Sequence, residues 1–109
     1  MLIDFSKIEE QIIPNMRGGE KEFAVKAYTD GKCKAMHGRL IPGASIGLHT
    51  HETNCEVLYI LQGSGKVLFD GEYHSVSVGS CNYCPKGASH SLINDGEEDL
   101  IFFAVIPEQ

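Results

Sequence analysis

The sequence predicts a closed all-β sandwich or barrel. Three observations carry that expectation: short strand-like runs at steady spacing from Glu22 to Ile106, turn dipeptides between them, and almost no helical periodicity. The 109 residues suffice for one domain, and a hydrophobic fraction of 42% can fill one core.

The helical signal is confined to the start. Ser6-Lys7-Ile8-Glu9 fits a capping box, and Ile8, Ile12 and Ile13 could form one apolar stripe before Pro14 stops it. Such a helix has at most two turns, and an irregular arm or an edge strand are its alternatives. Asn15 to Glu20, with Arg17-Gly18-Gly19, reads as a loop. We therefore expect an N-terminal arm over residues 1–21 and a β-barrel domain over 22–109.

Strands are expected at Glu22–Tyr28, Cys33–Ile41, Ile46–His51, Cys55–Gln62, Lys66–Asp70, Tyr73–Val78, Ser80–Cys84, His90–Asn94 and Leu100–Ile106. Asp30-Gly31 and Asp70-Gly71 are two-residue hairpin signals. Asn94-Asp95-Gly96 is a further turn, Gly63-Ser64-Gly65 supplies positive φ, and Pro42-Gly43 and Pro85-Lys86-Gly87 mark corners. The last strand is apolar at every position, so it must be covered on both faces, by core and arm or by core and a second subunit.

Composition excludes several functions. A net charge of −6 disfavours nucleic-acid and anionic-membrane partners. No apolar run approaches the roughly 18 residues of a bilayer span. The opening residues lack the basic and apolar regions of a signal peptide, so a cytoplasmic location is expected. A reducing compartment keeps Cys33, Cys55, Cys81 and Cys84 as thiols. Cys81-Asn82-Tyr83-Cys84 lacks the second pair of a structural zinc site and the helix of a redox motif, so the four read as buried or semi-buried small hydrophobes. Gly63-Ser64-Gly65 has no third glycine and no following helix, so it is not a dinucleotide loop.

Three of the five histidines carry the chemistry. His49-Thr50-His51 puts two imidazoles on one face of a strand, about 6.5–7 Å apart at Cα. If Glu52–Cys55 turns the chain back, Glu56 lies beside them, and His90 arrives from a distant segment. Three imidazoles and a carboxylate form a complete protein ligand set for a divalent first-row transition ion. A lone His-x-His more often binds nothing, and His37 and His74 read as ordinary imidazoles. An ion preferring six ligands would keep up to two positions open, and protonation of the imidazoles should release it below about pH 6.

Spacing then adds a resemblance. Gly43, five residues, His49-Thr50-His51, four residues, Glu56, six residues and Gly63 resemble the first motif of the cupin superfamily. Gly79, Pro85, Gly87, His90 and Asn94 resemble its second motif, with a short gap between the two as in small single-domain cupins. Every fixed position matches. The resemblance implies a double-stranded β-helix, a jelly-roll barrel with an open mouth. It places His49, His51, Glu56 and His90 at metal-ligand positions, with Fe, Mn, Zn or Ni as the ion and no other cofactor. The glycines, Pro85 and Asn94 take architectural positions.

The function this implies is a metal-dependent enzyme of dioxygenase, isomerase or lyase type on a small organic molecule, with an Fe or Mn oxygenase in front. The alternative is a non-catalytic module that binds a small ligand or senses a metal. Catalytic groups beyond the ligands are not assigned.

Face parity adds a partner. With Glu56, Leu58 and Ile60 inward, Val57, Tyr59 and Leu61 point outward. That apolar row and the two-sided last strand suggest a homodimer, with the chain's own arm as the competing cover. Leu58, Ile60 and Leu92 are expected to line a greasy cavity, and Arg39 to face solvent rather than an acidic substrate.

Overall fold

The computed structural model describes residues 1–109 and contains ten antiparallel strands in two sheets. They are β1 (Gln11–Pro14), β2 (Glu22–Thr29), β3 (Cys33–Leu40), β4 (Ser45–Thr50), β5 (Glu56–Gln62), β6 (Ser64–Phe69), β7 (Glu72–Ser77), β8 (Cys81–Cys84), β9 (Ser89–Ile93) and β10 (Leu100–Pro107). One sheet has the order β1-β2-β3-β10-β5-β8 and the other β4-β9-β6-β7, the double-stranded β-helix. All nine expected strands form, with ends moved by a residue or two.

The start of the chain resolves the open alternatives. No two-turn helix forms. A single 3-10 turn at Phe5–Lys7 is capped by Asp4, not Ser6: Oδ1 of Asp4 accepts from the Ser6 backbone N–H at 3.0 Å. The β-branched pair Ile12-Ile13 goes instead into β1, an edge strand pairing with β2 from Gln11↔Val25 to Pro14↔Glu22. Proline is tolerated there because it ends an edge strand.

Turn chemistry follows the dipeptides in one case and shifts in the other. Asp70 (φ 53°) and Gly71 (φ 78°) form the two-residue loop between Phe69 and Glu72, both in the left-handed region that this tight hairpin demands. At the first hairpin Asp30 lies outside the tip. Its carboxylate accepts from the N–H groups of Lys32 and Cys33 at 2.9 and 3.0 Å, and Gly31 (φ 86°) turns the chain.

The core lies between the sheets. Leu100, Phe102 and Ala104 of β10 are fully buried, with Leu40, Leu58 and Ile60 beside them. On the outward face of β10, Phe103 meets Phe5 edge-on with ring centroids 6.1 Å apart, so the chain's own start covers part of that strand. It does not cover the neighbouring row. Val57, Tyr59, Leu61 and Tyr83 remain 40–54% exposed, and register places Val57 opposite Tyr83 and Tyr59 beside Phe103.

Candidate metal centre

Three strands from both sheets deliver the four side chains. β4 carries His49 and ends at Thr50, just before His51; β9 carries His90; β5 opens with Glu56. His49 and His90 are direct cross-strand partners. The β4–β9 register slips between Ile46 and His49, so one extra residue stands on β4 at Gly47-Leu48. The bulge resets the inside-outside phase. Counting by twos from buried Ile46 would bury Leu48 and expel His49; instead Leu48 is 58% exposed and the histidines turn inward. Ser91 steadies the kink by donating its hydroxyl to the Ile46 carbonyl at 2.6 Å.

The four donor atoms lie within 4.8 Å of one another. Nε2 of His51 and Nε2 of His90 stand 3.0 Å apart, and they stand 3.0 and 2.9 Å from Oε1 of Glu56. Each outer ring nitrogen faces an oxygen. Nδ1 of His49 donates to the Gly47 carbonyl at 2.7 Å, that of His51 to Oδ1 of Asn54 at 2.6 Å, and that of His90 to Oδ1 of Asn82 at 2.7 Å. A carbonyl only accepts, which fixes the proton of His49 on Nδ1, and the asparagine oxygens do the same for the other two. In the neutral rings, then, all three Nε2 lone pairs converge on a carboxylate. Lone pairs packed this way call for a cation.

The spacing fits a metal ion. Two donors each about 2.1 Å from one ion and at right angles lie about 3.0 Å apart, the separations found among His51, His90 and Glu56. Without metal, a proton serves. The hydrogen bond to Glu56 raises His51 above its ordinary value against the opposing effect of burial, whereas burial lowers His49. Burial would push the Glu56 carboxyl up, but the hydrogen bonds and charges of His51 and His90 prevail and hold it at about 2.

A cavity of about 90 Å³ opens in front of the four, room for several waters or a small organic ligand. Leu58 and Leu92 line it as expected, but Ile60 is fully packed in the core and does not. Its other walls are largely apolar, with Met16, Phe23, Met36 and Ile46 among them. Two cations also line it, Arg17 and Lys34, neither of which sequence reasoning selected. Arg39 lies elsewhere, paired with Glu10 at 2.9 Å and Asp99 at 3.7 Å.

The cysteines take no part in the cup as donors. Cys81 and Cys84, three apart on β8, face opposite sides of it. Cys84 is buried and its thiol is pushed up to about 11, chiefly by burial, which makes it inert. Cys81 is exposed, correcting the expectation that all four are buried or semi-buried: it belongs to the outward row of β8.

A model of the cupin domain matches residues 36–106. An oxalate-binding protein of Thermotoga maritima is 39% identical over 97% of this chain and 93% of its own length. The crystal structure of a predicted oxalate decarboxylase from Thermotoga maritima superposes with a TM-score of 0.93 at 35% identity, covering 100% of both chains. A sugar phosphate isomerase of the cupin superfamily from Silicibacter pomeroyi has a TM-score of 0.81 over 100% of this chain and 76% of its own. Its 22% identity makes that likeness one of fold alone.

Proposed function

The chain belongs to the cupin family, and we propose that it is a metal-dependent enzyme of lyase type acting on a small carboxylate such as oxalate. His49, His51, Glu56 and His90 hold one divalent first-row ion, with Fe, Mn, Zn and Ni all compatible with the donor set. The observation that carries this reading is the convergence of three free Nε2 lone pairs and one carboxylate beside a largely apolar cavity. A bound ion supplies Lewis acidity and open positions for ligand oxygens. The chain's own residues then orient the substrate, exclude water through the apolar walls, and hold each imidazole in the tautomer the ion needs. Cleavage of the hydrogen oxalate carbon–carbon bond balances without an oxidant: carbon dioxide leaves and the proton joins carbon as formate. The names of the Thermotoga maritima relatives support the carboxylate as ligand.

A second reading, a module that binds the carboxylate without turning it over, is favoured by one feature. Apart from the four donors, Arg17 and Lys34 are the only titratable groups lining the cavity, so a dedicated carboxylic acid for proton transfer is missing. Metal-reconstituted protein incubated with oxalate, with and without oxygen, separates the readings. Equimolar formate and carbon dioxide support the lyase. Oxygen consumption instead points to dioxygenase chemistry, and saturable oxalate binding with no product makes the chain a binding module.

We also propose that the protein acts as a cytoplasmic homodimer. The four free thiols fit a reducing compartment. The outward row of Val57, Tyr59, Leu61 and Tyr83 is the apolar surface a second copy would cover. Light scattering should give twice the chain mass for the wild type and the single-chain mass for Tyr59→Glu. A monomeric wild type would remove the dimer.

A further inference from the structure

The segment Asn15–Gly19, which contributes Met16 and Arg17 to the cavity lining, has an unusual backbone conformation. Asn15 (φ 50°) and Arg17 (φ 54°) both sit in the left-handed region, which costs a non-glycine residue about 1–2 kcal/mol. Such conformations persist only where the surroundings over-determine them. Here the determinants are visible. The Asn15 N–H donates to the Lys21 carbonyl at 2.7 Å, and its side-chain amide to the Gly19 carbonyl at 3.1 Å. Glu20 donates its N–H to the Ser45 hydroxyl at 2.9 Å and accepts from the Ser45 N–H at 3.0 Å. Gly19 and Gly47 let the two backbones touch: a Cβ on Gly19 would strike the Ser45 carbonyl, and one on Gly47 the Arg17 carbonyl. The segment is thus stapled to the strand that delivers the histidines.

The staple fixes what lines the mouth. Arg17 comes from this segment and Lys34 from β3 in the opposite sheet, and both line the cavity that Glu56 and the histidines close. Neither cation has an ion pair or a side-chain hydrogen bond within the chain, whereas Arg39 has two acidic partners and Lys21 is tied to the Pro42 carbonyl. Arg17 and Lys34 also border the outer vestibule that Glu52 and Glu108 line, but Glu108 accepts from Thr53 and neither carboxylate pairs with either cation. In a chain of net charge −6, the one carboxylate lining the inner cavity is Glu56, the proposed metal ligand, leaving two cations without a partner.

We infer that Arg17 and Lys34 form an anion-recognition subsite, so that the ligand is a small dicarboxylate with one end at the metal and the other at these cations. This rests on the metal-site reading. Arg17 is exposed and Lys34 half-buried, so Arg17→Gln and Lys34→Gln keep the fold. The test is calorimetric titration of Mn-loaded wild type, both single variants and the double variant. The ligands are oxalate, malonate and oxamide, the uncharged diamide of oxalate's shape.

Metal content should be the same in all four proteins. Each single variant should bind oxalate about 10-fold more weakly, as expected when a charged hydrogen bond is lost, while oxamide binding stays unchanged. Oxalate affinity within twofold of wild type in the metal-replete double variant overturns the subsite and leaves the metal site standing. So does a wild type that binds neither oxalate nor malonate, or an equal loss for oxamide. A chain that takes up no metal but still binds oxalate through Arg17 keeps the subsite and overturns the metal site.

Discussion

His90→Ala protein, reconstituted with Mn and dialysed, retains roughly a tenth of the wild-type metal or less. An outer partner of a ligand is already worth about 10–100-fold in affinity, and removing the ligand itself costs more. Asn82→Ala calibrates the scale. It leaves four donors but frees the His90 ring from the oxygen that fixes its tautomer, so its metal affinity falls within that 10–100-fold range. Thermal melts give an independent readout. Metal at 100 times its dissociation constant stabilises the folded chain by about 2.7 kcal/mol, roughly 10 °C in a domain of this size, and His90→Ala loses that increment. Acid should abolish it as well. A group whose folded value is lowered, as for Glu56 at about 2, stays charged until the pH falls through that value. The wild-type metal increment therefore disappears as the imidazoles take up protons, His51 more readily and His49 less readily than an ordinary histidine, while Glu56 is still ionised. Equal metal in wild type and His90→Ala would eliminate the site.

Much of this centre is legible in the chain, and the limits are physical. His49, His51, Glu56 and His90 could be picked because short-range spacing fixes which side chains share a strand face, and the two glycine-bounded motifs fix where the strands turn. The inward phase of Glu56, Leu58 and Ile60 follows from strict alternation in a strand without a bulge. The same rule misleads on β4, where only the bulge at Gly47 brings the histidines inside; a glycine within a strand was the signal. Asn54, Asn82, Arg17 and Lys34 were not legible. Asn82, Arg17 and Lys34 meet the site across segments or sheets that no local pattern connects, and Asn54, only three residues from His51, reaches it through a loop whose path the local sequence does not specify. The edge strand β1 was one of three open readings, because a run of four residues is too short for periodicity to separate helix from strand.

Phe102→Ala should destabilise the protein by about 3–5 kcal/mol, a large part of the 5–15 kcal/mol typical of a single domain. Phe102 is fully buried on β10 and lies nearly parallel to Phe23 of β2, ring centroids 5.8 Å apart and planes 10° apart. Between their strands runs β3, where Gly38 leaves the space both rings occupy, so that a Cβ there would meet the Phe102 and Phe23 rings. The three residues form one unit, and the sheet cannot close over the hole left by Phe102 without moving the strands that flank β3. At roughly 4 °C or more per kcal/mol, the melting temperature should fall by at least 12 °C. The comparison with His90→Ala makes the result informative. Phe102 is no cavity wall and its strand carries none of the four donors, so at low temperature Phe102→Ala should still take up a full complement of metal. His90→Ala should show the reverse, a metal-free melt close to wild type with no response to added ion. If Phe102→Ala loses metal in proportion to stability while still folded, the six-stranded sheet sets the donor geometry. In that case the cup is not the rigid, locally determined site that the bulge on β4 and the three imidazole hydrogen bonds imply.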